Sequence, residues 1–255
     1  DGTVDGIATQ EPTYGLPAVW IRDSSREHAL AKGFTVVDTA TVMTTHLSEV
    51  IRRHAHELLG RQDVQRMLDY LKQSHPRVVE DLVPNLLPLG SVVKVLQNLL
   101  REQVPIRDLL AILETLGDWA PLTKDPDALT EHVRHALART LTKQHQASDG
   151  SLSVILLGHA VESALAEALQ KGEHGRVLAL DPKTANRIMS SLGRQIELCT
   201  ARNLQPVVLC SSPLRPALKK LTDRFIPNLF VLSYEEILNT VDVRSVGSVE
   251  LSDAD

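Results

Sequence analysis

The sequence predicts a mixed α/β (α+β) protein of several subdomains, with a helical middle region followed by a small α/β sheet domain. Two patterns carry this. From Asp38 to about residue 145 apolar residues recur at spacings of three and four, the period of helices with one buried face. Beyond residue 148, short β-branched runs alternate with helix-start signals, the pattern of a small sheet covered by helices. Composition agrees: 43% apolar and 23% charged residues in a chain of 255 describe a folded globular protein, and 3% aromatic residues mean cores of Leu, Val and Ile.

The same arithmetic excludes several classes of function. Lys and Arg total 27 against 32 Asp and Glu, a formal net charge of -5, which argues against a phosphate-backbone binder, so no nucleic-acid partner is expected. No apolar run approaches the roughly 20 residues of a membrane helix; the longest, Ser153 to Val161, is broken by Gly158 and His159. The two cysteines, Cys199 and Cys210, form neither a disulfide framework nor a CxxC pair, which fits a reducing compartment. The chain opens at Asp1 with no Met and no basic-then-apolar leader, and reads as a piece of something longer.

In order along the chain, DGTVDGIATQEPTYGLP is Gly-, Pro- and polar-rich and reads as a linker or irregular loop. AVWIR (Ala18 to Arg22) and FTVVD (Phe34 to Asp38) read as strands flanking a short helix that starts at a serine and ends at Gly33. Met43, Leu47, Val50, Ile51, His54 and Leu58 predict the next helix, capped by Asp38 or Thr39 and terminated by Gly60. Four further helical stretches follow, separated by Pro76, Pro84, Pro88 and Pro105. In the last, Ile106, Leu110, Leu113 and Gly117 form one stripe and Leu109, Ile112 and Leu116 a second, so this helix should be central. Asp125-Pro126 launches a helix carrying Leu129, Val133, Leu137 and Leu141. QHQASDGS (Gln144 to Ser151) is a polar joint expected to permit hinge movement. Strands are predicted at Ser153 to Leu157, Arg176 to Leu180, Val207 to Cys210, Leu229 to Leu232 and Val241 to Val249, with helices after Asp181-Pro182 and Ser212-Pro213.

Candidate chemistry is sparse. His46, Glu49, His54 and His56 crowd one helix, but the spacing is not HExxH. His54 and His56 lie about 200° apart around a straight helix, so surface or interfacial histidines are preferred to a metal site. LCSSPLR (Leu209 to Arg215) could hold a phosphate at a helix N-terminus, yet its turn has no glycine, and a capping role for Ser211 or Ser212 is preferred. Cys199 follows the stripe Ile188, Leu192, Ile196 and Cys210 ends a strand, so both read as small core residues. No acid and base pair, GxSxG, GxGxxG or GxxxxGK[ST] is present, and neither an enzymatic role nor a cofactor is expected.

Three segments carry a resemblance: GLPAVWI at Gly15 to Ile21, HAHELLGRQDVQRMLD at His54 to Asp69, and VLQNLLREQVPIRDLLAILETLGDWAP at Val95 to Pro121. With DPKTANRIMSSL, PVVLCSSPLRPALKKL and PNLFVLSYEEI, the chain resembles the cytoplasmic domain of the flagellar type III export-gate family, which also contains the export-gate subunits of virulence injectisomes. The resemblance implies a region beneath a membrane-spanning segment, on the cytoplasmic face of the bacterial inner membrane. It would assemble as a ring, a nonamer in the family, and receive export chaperones with their cargo and soluble components of the export ATPase complex. It further implies four subdomains: 1-34 plus 84-103, an insertion at 35-83, a helical subdomain at 104-147, and a C-terminal α/β subdomain at 148-255. A chaperone-docking dimple would fall on His56, Leu59 and Gly90. Two other readings stay open, an injectisome subunit and a nucleotide- or phosphate-binding α/β enzyme domain at LCSSPLR.

Overall fold

The structure is a computed structural model and describes residues 4–13, 15–172, 175–202, 204–226 and 229–251. Residues 1–3 and 14 of the opening stretch, and Pro227 and Asn228 of the PNLFVLSYEEI motif, lie outside the described residues. The chain divides between Leu58 and Leu59 into two units, and this boundary falls inside the stretch 35-83.

The first unit opens with a strand where a loop is predicted. β1 (Ile7–Gln10) pairs antiparallel with β2 (Pro17–Trp20), Ile7 opposite Trp20. Gly6 permits this close pairing, because a Cβ there would collide with the Trp20 carbonyl oxygen. A 3₁₀ turn, Asp23–Ser25, leads into α1 (Arg26–Ala31). The FTVVD run is not a strand: β-branched residues favour extended backbone, but a strand also needs a neighbour to hydrogen-bond, and β2 has already paired with β1. Asp38 caps α2 (Thr39–Arg53), its carboxylate accepting the Thr41 amide at 2.7 Å, and those bonds hold its acidity below the usual carboxylate range. The helix does not run on to Gly60. It stops at His54, and a single turn, α3 (Ala55–Leu58), follows. Among the described residues of this unit only Thr13 and Ala29 are buried.

In the second unit Gly60 starts a helix instead of ending one. It precedes α4 (Arg61–Lys72), with its amide bonded to the Asp63 carboxylate at 2.9 Å. α5 (Pro76–Glu80) begins on its proline, and an irregular turn, Asp81–Leu86, carries Pro84. Next come α6 (Leu89–Arg101), α7 (Leu109–Trp119) capped by Asp108, and α8 (Pro126–Ala136) capped by Asp125. The Leu129 to Leu141 stripe is buried throughout, but its helix breaks at Leu137 into α8 and α9 (Ala138–His145). In α7 the Leu109, Ile112, Leu116 stripe and Leu113 are all buried.

The α/β part then runs β3 (Leu152–Leu157), α10 (His159–Glu167), the antiparallel hairpin β4 (Leu169–Gly172) and β5 (Gly175–Leu178), α11 (Pro182–Ala201), β6 (Val207–Cys210), α12 (Arg215–Thr222), β7 (Phe230–Ser233) and β8 (Val243–Val249). The sheet is all parallel in the order β7-β6-β3-β8. Alternation along each strand decides what each face covers. Leu152, Val154, Val207, Leu209 and Leu232 join the core of α4 to α9, while Ile155, Leu157, Val208, Cys210 and Val231 join that of α10 to α12. The polar joint at 144–151 is therefore bridged by a shared core and does not separate two cores, although Gly150 does take the left-handed turn conformation, at φ +81°. Both cysteines are core residues, as their patterns imply; burial pushes the Cys199 thiol up and the Cys210 thiol up to about 12.

Charge as well as apolar contact ties helices to sheet. Arg134 on α8 and Arg215 on α12, both fully buried, share Glu102, with Nη1 to Oε2 distances of 2.9 and 2.6 Å. Arg134 also donates Nε to Glu236 Oε1 at 2.6 Å, and Arg215 donates Nε to Glu131 Oε2 at 2.6 Å. Burial alone would raise the Glu102 carboxyl, but the Arg215 and then the Arg134 guanidinium outweigh it and hold it down at about 2.

Candidate functional site

Of the three residues predicted to form the docking dimple, two lie in the second unit and one in the first. His56 sits in α3, its side chain 19% exposed, with Nε2 3.7 Å from Glu57 Oε1 and a buried Nδ1 that has no partner among the described residues. His54 bonds Glu57 at 2.8 Å, and this bond keeps the Glu57 carboxyl below its usual range. Glu49 is engaged by Arg52 and Arg53, while the buried Nδ1 of His46 has no partner among the described residues, so Glu49 and the three histidines do not converge on one point. Among the described residues no three His, Cys, Asp or Glu side chains are grouped to hold a metal.

Leu59 packs half-buried against the second unit's core, and its carbonyl accepts the Gln97 side-chain amide from α6 at 3.0 Å. The adjacent Leu58 is 65% exposed, so of the two leucines the solvent-facing one is Leu58. Gly90 lies in the first turn of α6, and a Cβ there would stand 3.4 Å from Nη2 of Arg61. The structure thus brings the Leu59–Arg61 corner of α4 against the start of α6. It adds Arg61, which sequence reasoning missed; the available signal was an arginine directly after the Gly60 cap. At the same corner Asp63 is held below the usual carboxylate range by the Gly60 amide and then by Arg66. The corner therefore carries the Arg61 guanidinium over the Gly90 turn, two residues along the chain from the half-buried Leu59.

The LCSSPLR turn is built differently from a phosphate site. Leu214 and Arg215 amides both bond the Ser211 carbonyl, the Ser211 amide donates to Glu162 at 3.3 Å, and the Ser212 hydroxyl donates to Glu235. α12 starts at Arg215 with no side-chain cap, so the predicted capping by Ser211 or Ser212 does not occur: the cap position is Leu214, the serines lie two to three residues upstream of it, and nearby carboxylates take their donors. Carboxylates at this turn oppose an anion.

A parallel four-stranded sheet with apolar cores on both faces, one of them continuous with the helical layer, defines a mixed α/β domain. The comparisons agree. The chain belongs to the FHIPEP family, which matches residues 1–242. It is 43% identical over 251 residues to the flagellar biosynthesis protein FlhA of Bacillus subtilis, covering 98% of this chain and 37% of that protein. The chain therefore spans little more than a third of this relative. Among solved structures, the CdsV protein of Chlamydia pneumoniae superposes with a TM-score of 0.85 at 30% identity, over 96% of this chain and 70% of that one. The nonameric EPEC SctV-C gives 0.78 at 28% identity, over 89% and 68%. CdsV has also been solved in complex with CdsO.

Proposed function

We propose that this chain is a docking platform of the flagellar type III protein export gate, held at the cytoplasmic face of the inner membrane. There it binds export chaperones with their cargo and soluble export components as one member of a ring. The observation that carries this is the 43% identity to a flagellar FlhA across almost the whole chain, against 30% or less for the injectisome structures reported above. The nonameric state of SctV-C supports the ring, and the CdsV–CdsO complex supports contact with a soluble export component. We assign chaperone docking to Leu59, Gly90 and Arg61 of the second unit, keep His56 of the first unit as a separately proposed contact, and keep the division into 1-34 plus 84-103, 35-83, 104-147 and 148-255 as the partition of the platform. Calorimetric titration with flagellar chaperone–cargo pairs tests the reading. Saturable binding that weakens in Leu59→Ala and in Gly90→Trp supports it, and binding indifferent to both changes removes the assigned site.

A further inference from the structure

Apart from the docking corner, the second unit holds a cleft of about 810 Å³ between the first turns of α8, the 212–220 segment and the start of the β4–β5 hairpin. Its size is that of a pocket for a small molecule or a few residues of extended peptide. Ala128, Ala166, Leu169, Pro213 and Pro216 give it an apolar wall.

The charged groups around it are mostly satisfied from behind. Arg215 holds both oxygens of Glu131, and Lys220 holds Asp127 at 2.9 Å while Asn98 donates to the other Asp127 oxygen at 3.1 Å. Asp125 differs. Its carboxylate accepts a single hydrogen bond, from the Asp127 amide at 3.2 Å, and has no ionic partner among the described residues. The exposed Gln170 side chain likewise makes no hydrogen bond among the described residues, and it offers both a donor and an acceptor. Ser212, whose hydroxyl bonds Glu235, brings a further carboxylate to the rim. Three acidic side chains line the cleft, Asp125, Asp127 and Glu131, against one lysine, Lys220, and two histidines, His132 and His135.

We propose that this cleft binds a short extended polypeptide segment carrying one lysine or arginine between apolar residues. The basic head would meet Asp125, the backbone would bond the Gln170 amide, and the flanking side chains would lie against Leu169, Pro213 and Pro216. Charge complementarity selects a cationic occupant, and the apolar wall, which a bare polyamine would leave uncovered, selects a peptide. The inference extends the docking-platform reading and rests on it for a polypeptide occupant, but it concerns a surface apart from Leu59 and Gly90.

The test uses the 255-residue chain and the acetylated, amidated peptide Ala-Leu-Lys-Leu-Ala-Ser, a twin with Glu in place of Lys, and spermidine. Nuclear magnetic resonance titration should move the amides of Ala128, Ala166 and Gln170, with the lysine peptide binding at least about tenfold tighter than its twin, the lower end of the range expected of one charge-assisted hydrogen bond. Asp125→Asn, which keeps a good helix cap while removing the charge, should erase that difference, and Ala166→Trp should fill the cleft and abolish binding. Equal binding of the two peptides, shifts confined to other surfaces, no binding by either peptide, or spermidine binding as tightly as the lysine peptide would each overturn the proposal. Chaperone–cargo titration of the unmodified chain separates the two readings: failure of the lysine peptide to bind a chain that still docks chaperone–cargo pairs removes the cleft and leaves the platform standing.

Discussion

The helix α2 and the helix α6 have the same apolar periodicity and opposite fates. In α2 the side chains of Met43, Leu47, Val50 and Ile51 are 40 to 66% exposed, whereas in α6 Val92, Val95, Leu96 and Leu99 are completely buried. Both patterns are those of an amphipathic helix. Periodicity states that a helix has an apolar face and is silent on what covers it. The second unit supplies the cover, because α6 packs against α4 and α8 over a core that continues into the sheet. Stability should therefore be concentrated there.

The largest effect expected is on the buried charges. Arg134→Met leaves the fully buried Glu236 without its counter-ion and Glu102 with Arg215 alone, and removing one partner of such a buried pair costs about 3 to 5 kcal/mol. Chemical denaturation should show it, and a loss below about 1 kcal/mol would mean that the ion pairs are replaceable by water. Leu113→Ala on α7 should cost about 2 to 5 kcal/mol, the range for a large-to-small change in a packed core. An unchanged melting temperature there would erase the contrast between the units.

Acid provides a third measure. Glu102 is held at about 2, below its ordinary 4.5, so its folded form favours the ionised state. A depressed folded-state acidity contributes stability that is fully present above pH 4.5 and is lost as pH falls from there toward 2. That contribution is on the order of 3 kcal/mol. Glu102→Gln should flatten this part of the stability profile, and an unaltered acid limb would assign the loss to other carboxylates.

Leu59→Ala should weaken chaperone–cargo binding by about 1 to 3 kcal/mol. Because Leu59 is packed against the core, a loss of about 1 kcal/mol in folding stability should accompany it. Smallest of all, Leu47→Ala on α2 should change stability by less than about 0.5 kcal/mol, the usual result at an exposed position. A larger loss would show that its face is covered in solution.

These contrasts also mark what the sequence could disclose. Helix starts that depend on one local carboxylate were readable, as Asp38, Asp125 and Asp181 each accept an amide two or three residues onward. β6 and β3 were readable because short β-branched runs in an alternating chain demand a buried parallel sheet. FTVVD was misleading since its propensity is local while a pairing partner is not, and β1 was hidden among Gly and Pro for the same reason. The charge network was illegible: Arg215 meets Glu102 across 113 residues, a distance over which spacing holds no information. At the docking corner, HAHELLGRQ identified the helix turn but not that Leu59 would pack inward, leaving Leu58 exposed at 65%.

The parallel pairing of β3 with β8 sets a timetable for folding. Leu152 aligns with Val243, about ninety residues downstream, and β6 and β7 reach the same sheet through α11 and α12, so every ladder in it closes a long loop. A ribosome would release β3 well before its neighbour on the β8 side exists. Until then one edge of a strand rich in Val, Ile and Leu stays open to other chains, and the helical layer of α6 to α8, whose contacts are nearer in sequence, can form first and shield one of its faces.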